Sequence, residues 1–164
     1  MKMKTISLLV LSFVLAHVSF AHSKALTTPF VDSVVQPYLK IQEGLAGDDL
    51  EKSQSGATAL LKALETAPDA EDAKATIEAF AKSAKSIESA EDIKAARATF
   101  QDLSKEFQSL VEHVGTSGKV MLYLAQCPMA FNGKGGTWVQ GTEQVMNPYY
   151  GAMMLHCGSA RPLE

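Results

Sequence analysis

From Thr27 to Gly115 apolar residues recur in steps of three and four, a spacing that gathers them on one side of a helix. The clearest run is Ile93, Ala96, Phe100, Leu103, Phe107, Leu110 and Val114. It is opened by the capping-box-like Ser89-Ala90-Glu91-Asp92 and closed by Gly115. A stripe of Ala73, Ile77, Phe80, Ala84 and Ile87 follows Pro68 and Asp69 and is expected to face it. Before that, about Asp49 to Thr66, Ala57, Leu60, Leu61 and Leu64 point inward, and the run stops ahead of Pro68, as proline requires of the residues before it. The first run starts near Thr28 and Pro29 with Val31, Val34, Val35, Tyr38, Ile41 and Leu45. Pro37 inside it predicts either a kink or a helix that begins only at Tyr38. Short connections such as "AGDD" and "TAPDAED" make successive helices antiparallel. The expected fold is therefore mainly α, an up-down four-helix bundle over residues 29–116.

After Gly115 the pattern changes. "KVMLYLAQCPM" is an apolar run with β-forming residues, and "FNGKGGTWVQGTEQ" is rich in glycine and turn formers. A strand is expected over Val120–Gln126 and a second near Thr137–Val139, with "NPYYGAMMLHCG" forming a turn and then a partly helical turn. Residues 117–164 thus read as a loop-rich C-terminal extension with one or two short β-strands, packed on the bundle. Met121 and Met146 are expected to fill gaps in the core.

The first 21 residues carry Lys2 and Lys4, an apolar stretch from Ile6 to Leu15, and Ser19-Phe20-Ala21, which is the layout of a secretory signal peptide. The apolar stretch is short for a bilayer span. No cysteine follows it to carry a lipid, and no N-x-S/T sequon occurs. These features predict an exported bacterial protein of the periplasm without a membrane anchor, with residues 22–28 as a flexible N-terminus. The 164 residues suffice for one core, and the net charge of -3 gives no electrostatic reason to expect nucleic acid as a partner.

Between Ser23 and Glu112 there is no histidine, cysteine, methionine or tryptophan. Nucleophile and imidazole pairs are therefore absent from the bundle up to Glu112, and its carboxylates, lacking any E-x-x-H pair, read as solvated faces and first-turn charges. The soft-sulfur residues crowd instead into the tail. Cys127 and Met129 are separated by one residue, and Met154 and Cys157 lie three positions apart, on one face of a helical turn. Two thiolates and two thioethers would select Cu(I) or Ag(I) over hard ions. The alternative is that two cysteines in an exported chain form a structural disulfide. No C-x-x-C or C-x-x-C-H occurs, so neither a thiol oxidoreductase nor a c-type haem protein is expected, and no organic cofactor is implied.

The strings "CPMAFNGKGGTW" and "NPYYGAMMLHCG" resemble the tail of a domain of unknown function found alone in periplasmic proteins and fused to the C-terminal end of CusB-type copper/silver efflux adaptors. The matching residues are Cys127, Pro128, Met129, Ala130, Trp138, Asn147, Pro148, Tyr149, Gly151, Met154, Cys157 and Gly158. "YLKIQEGLAGDD" and "ARATFQDLSKEF" resemble its first and last helices, while the glycine pair in "NGKGGTW" departs from its pattern. The resemblance implies a non-enzymatic protein that handles Cu(I) or Ag(I), with a CusB-type adaptor or another periplasmic protein as partner. The expected ligands are Cys127, Met129, Met154 and Cys157. Trp138, His156 and Met153 are secondary candidates for ligation or for covering the ion, Met153 and His156 falling on variable positions of the pattern. Asn147, Pro148, Tyr149, Gly151 and Gly158 are expected to build the turn.

Overall fold

The computed structural model describes residues 24–163; residues 1–21, expected to be a signal peptide, lie outside the described residues. Four helices run in succession: α1 (Thr28–Ala46), α2 (Leu50–Leu64), α3 (Glu71–Glu88) and α4 (Ile93–Val114). Each packs on the next and α1 also packs on α4, so the bundle closes on itself. No helix among the described residues is long and apolar enough to cross a membrane.

The amphipathic stripes form the core. Val31, Val34, Tyr38, Ile41, Leu45, Ala57, Leu60, Phe100, Leu103, Phe107 and Leu110 are fully buried, whereas Leu61, Ile77, Ile93 and Val114 lie half-buried at the rim. Burial of each large side chain contributes roughly 1.5–3 kcal/mol, so packing outweighs helix propensity here. Gly56 permits the close approach of α2 to α1, because a Cβ there would stand 2.8 Å from the Ile41 amide nitrogen.

Helix ends follow local chemistry. Asp49 caps α2 by accepting from the Lys52 amide at 2.8 Å, and Asp92 caps α4 by accepting from the Ala95 amide at 2.7 Å. The start of α4 is thus set by Asp92 alone, while Ser89 closes α3 with its hydroxyl on the Lys85 carbonyl. Pro37 sits inside an α1 that begins at Thr28, so the helix does not start at Tyr38. The carbonyl of Ser33 loses its amide partner, but Ser33 is exposed and solvent can supply one. Of the 22–28 stretch expected to be flexible, Leu26 is buried in the core and Thr27 is the residue before α1.

The tail forms a three-stranded antiparallel sheet in the order β2-β1-β3, from β1 (Tyr123–Cys127), β2 (Gly136–Gln140) and β3 (Ser159–Pro162). The first two strands answer to those expected, with β1 starting three residues later than Val120. The third has no alternating pattern of its own and exists because the chain returns to the free edge of β1. A 3-10 turn, Gly151–Met153, precedes it. Met121 is 61% exposed, so it does not fill the core; Met146 is half-buried.

One side chain clips the sheet to the bundle. The Tyr38 hydroxyl on α1 donates to the Val139 carbonyl at 3.1 Å and accepts from the Val139 amide at 3.1 Å. It also lies 2.7 Å from the Ser104 hydroxyl on α4, and its ring stacks on Phe107 with centroids 3.8 Å apart. Both backbone groups of Val139 that face away from β1 are thereby satisfied inside the core.

Candidate functional site

Cys127 ends β1 opposite Gly136 and is fully buried. Cys157 reaches it across a long loop that three buried amides hold in place. The Gln140 oxygen accepts from Trp138 Nε1 at 2.8 Å and from the Met146 amide at 3.1 Å, while its nitrogen donates to the carbonyls of Thr142 and Gln144. Gln42, on the buried side of α1, donates to the Met146 carbonyl at 2.7 Å. Asn147 accepts from the Tyr149 amide at its side-chain oxygen and donates from Nδ2 to the Cys157 carbonyl at 3.0 Å. Its backbone amide donates to the Leu155 carbonyl and its carbonyl accepts from the Gly151 amide. Gly158, at φ 128°, lets the chain pass β1, where a Cβ would strike the Gln126 carbonyl oxygen.

The two Sγ atoms consequently lie 2.8 Å apart, although thirty positions separate the residues. Cys157 is half-buried, and contact with the Cys127 thiol, then burial, raises its thiol above the ordinary range. A disulfide of about 2.05 Å needs the sulfurs to close by less than about 1 Å. A shared ion bonded at about 2.3 Å to each would hold them about 3.8 Å apart in tetrahedral geometry and about 4.6 Å apart in linear geometry. Oxidation thus asks for a small approach, and chelation for an opening of about 1–2 Å.

The other two expected ligands lie within three positions of a cysteine along the chain. Met129 is 55% exposed, and its carbonyl accepts from the Tyr150 hydroxyl at 2.6 Å. Met154 is half-buried and its carbonyl accepts from the Cys157 amide at 3.0 Å, which closes the turn between them. Among the described residues, no group of three or more His, Cys, Asp or Glu could hold a metal ion, so an ion at this pair would be held by the two thiolates, with thioethers as the further soft donors. Of the secondary candidates, Met153 is 80% exposed and the His156 ring meets the Val145 carbonyl through Nδ1 at 2.7 Å. Trp138 is fully buried, its N–H is spent on Gln140, and Tyr149 meets it edge-on with centroids 5.6 Å apart. Its assignment here is core.

A second cluster, absent from the sequence-based expectations, fixes the "NPYYG" turn. Arg97 on α4 donates from Nε to the Pro148 carbonyl at 2.8 Å and from Nη2 to the Leu45 carbonyl at 2.7 Å and Asp48 Oδ1 at 2.6 Å. Asp48 accepts at Oδ2 from the Ala152 amide at 2.8 Å. The Ala152 amide and then Arg97 hold its carboxyl below the usual range. Gly151, at φ 58°, is required because a Cβ would collide with Asp48 and Arg97. The available signal was that Arg97 is the one arginine in a lysine-bearing helical body. Beside this cluster Tyr149 donates to the Thr137 carbonyl at 2.6 Å, and Phe131 and Asn132 take left-handed backbone angles at φ 53° and 60°. Such angles cost roughly 1–3 kcal/mol per residue and tend to gather at functional sites.

No curated protein and no solved structure matches the chain. One family does, over residues 34–119, from within α1 to just past α4, ending before Cys127. The match spans just over half of the chain, which therefore belongs to the family described as "Protein of unknown function (DUF3347)".

Proposed function

We propose that the protein is a non-enzymatic periplasmic binding module for Cu(I) or Ag(I), with Cys127 and Cys157 as its thiolate core and Met129 and Met154 as thioether donors. The observation that carries this reading is the 2.8 Å approach of two thiols, each with a methionine within three positions. Soft donors of this kind favour soft monovalent ions, and Cys157 is the less buried half of the pair. The module buffers the ion or hands it to an efflux adaptor of the CusB type, a role suggested by the resemblance of the tail. Anaerobic titration of the reduced protein against a competing chelator should register about one Cu(I) per chain. Undiminished uptake by a Cys127→Ser/Cys157→Ser variant would refute it.

The same approach supports a second reading, because it leaves the two thiols placed for oxidation to a disulfide. In that case the pair is oxidised, the tail is clamped on the bundle, and the domain serves as a docking unit for an efflux or envelope partner. Mass measurement of periplasmic material with and without reductant separates the two. A pair that stays oxidised under mild reductant selects the second.

A further inference from the structure

A groove of about 490 Å³ opens beside the "NPYYG" turn, with Lys94 and Arg97 of α4 on one wall and Phe131, Tyr149 and Tyr150 on the other. Its volume falls within the range of small-molecule sites. The aromatic wall is rigid. Tyr149 and Tyr150 spend their hydroxyls on the Thr137 and Met129 carbonyls, so their rings present apolar faces, and Phe131 meets Tyr149 edge-on at 4.8 Å. The cationic wall is fixed as well, because Nε and Nη2 of Arg97 are tied to Pro148, Leu45 and Asp48. Among the described residues none of its bonds uses Nη1. Asp48 balances the Arg97 charge, and Lys94 adds an exposed positive charge at the mouth. The strained Phe131-Asn132 turn forms the rim.

We infer that this groove binds a carboxylate attached to an aromatic ring, the ring lying against Phe131, Tyr149 and Tyr150 and the carboxylate reaching Arg97 Nη1 and Lys94. A preset guanidinium donor and a lysine point charge suit an oxyanion, and the aromatic wall suits a planar apolar body. Two sources present this chemistry: a free aromatic acid, and a peptide chain ending in an aromatic residue. The site involves neither cysteine, so it stands apart from the soft-metal reading.

The test is calorimetric titration of the full chain with N-acetylphenylalanine, its neutral amide N-acetylphenylalaninamide, and the peptide Gly-Gly-Gly-Phe with a free C-terminus. The acid should bind saturably and the amide about tenfold more weakly or not at all. Lys94→Ala should weaken the acid about threefold, as expected for an exposed charge. Ala98→Glu, which sets a carboxylate on the groove wall at an exposed helical position, should abolish binding while the circular dichroism spectrum is retained. Tighter binding of the peptide than of the acid assigns the site to chain termini, and the reverse assigns it to free acids. Equal binding of acid and amide, no saturable binding of either carboxylate, or full binding by the Ala98→Glu protein would overturn the inference.

Discussion

Arg97 Nη2 lies 2.6 Å from Asp48 Oδ1, joining α4 to the turn between α1 and α2. Because the same guanidinium also serves the Leu45 and Pro148 carbonyls, Arg97→Ala strands two partly buried acceptors besides breaking the ion pair. The expected loss is about 2 kcal/mol in urea unfolding, more than a surface salt bridge alone supplies.

Asp48 also sets an acid limb. Its folded-state pKa is lowered, so its contribution is complete above the unfolded value of about 3.9 and disappears as pH falls through the lower folded value. Stability measured from pH 6 downward should decline below about pH 4, and Asp48→Asn should flatten that decline.

Tyr38→Phe removes the hydroxyl that bridges Val139 and Ser104. Leaving the Val139 amide and carbonyl unpaired in the core should cost about 2–4 kcal/mol. Burial holds the Tyr38 and Tyr149 phenols well above their ordinary pKa. In the folded protein both should stay protonated through pH 11 by ultraviolet titration. Their contribution is complete below the unfolded pKa of about 10 and is lost as pH rises beyond it toward the folded values.

A Cys127–Cys157 bridge would close a loop over thirty positions, for which chain entropy gives about 3–4 kcal/mol. Oxidised protein should therefore unfold at higher urea than reduced protein by that amount, and the double serine variant should show no dependence on reductant. Equal midpoints in both redox states would exclude a stabilising bridge.

Gly151→Ala and Gly118→Ala form a paired comparison. Both glycines have positive φ, but a Cβ at Gly118 meets nothing within 4 Å whereas one at Gly151 runs into Asp48 and Arg97. Gly118→Ala should cost about 1 kcal/mol from backbone strain alone, and Gly151→Ala should cost more and weaken the Asp48–Arg97 pair as well. Thermal melts of the two variants measure the difference.

Amphipathic spacing and capping are local properties, which is why the four helices, the stop at Gly115 and the first two strands are legible in the sequence. Proline chemistry is local too, yet Pro37 was ambiguous, because whether α1 runs through it depends on Val31 and Val34 being buried by other helices. The crowding of Cys and Met into the tail is likewise plain from the chain, whereas the exposure of Met121 is not.

What the sequence by itself determined is the helical body and the set of soft donors, since both depend on residues within a few positions of each other. The tertiary structure alone decided the third strand, the three amides that fold the loop, the Asp48–Arg97 clamp and the meeting of the two sulfurs. Each of those joins groups dozens of residues apart or depends on the loop that such contacts fold. Their geometry follows from the packing of the sheet on α1 and α4, which no local pattern encodes.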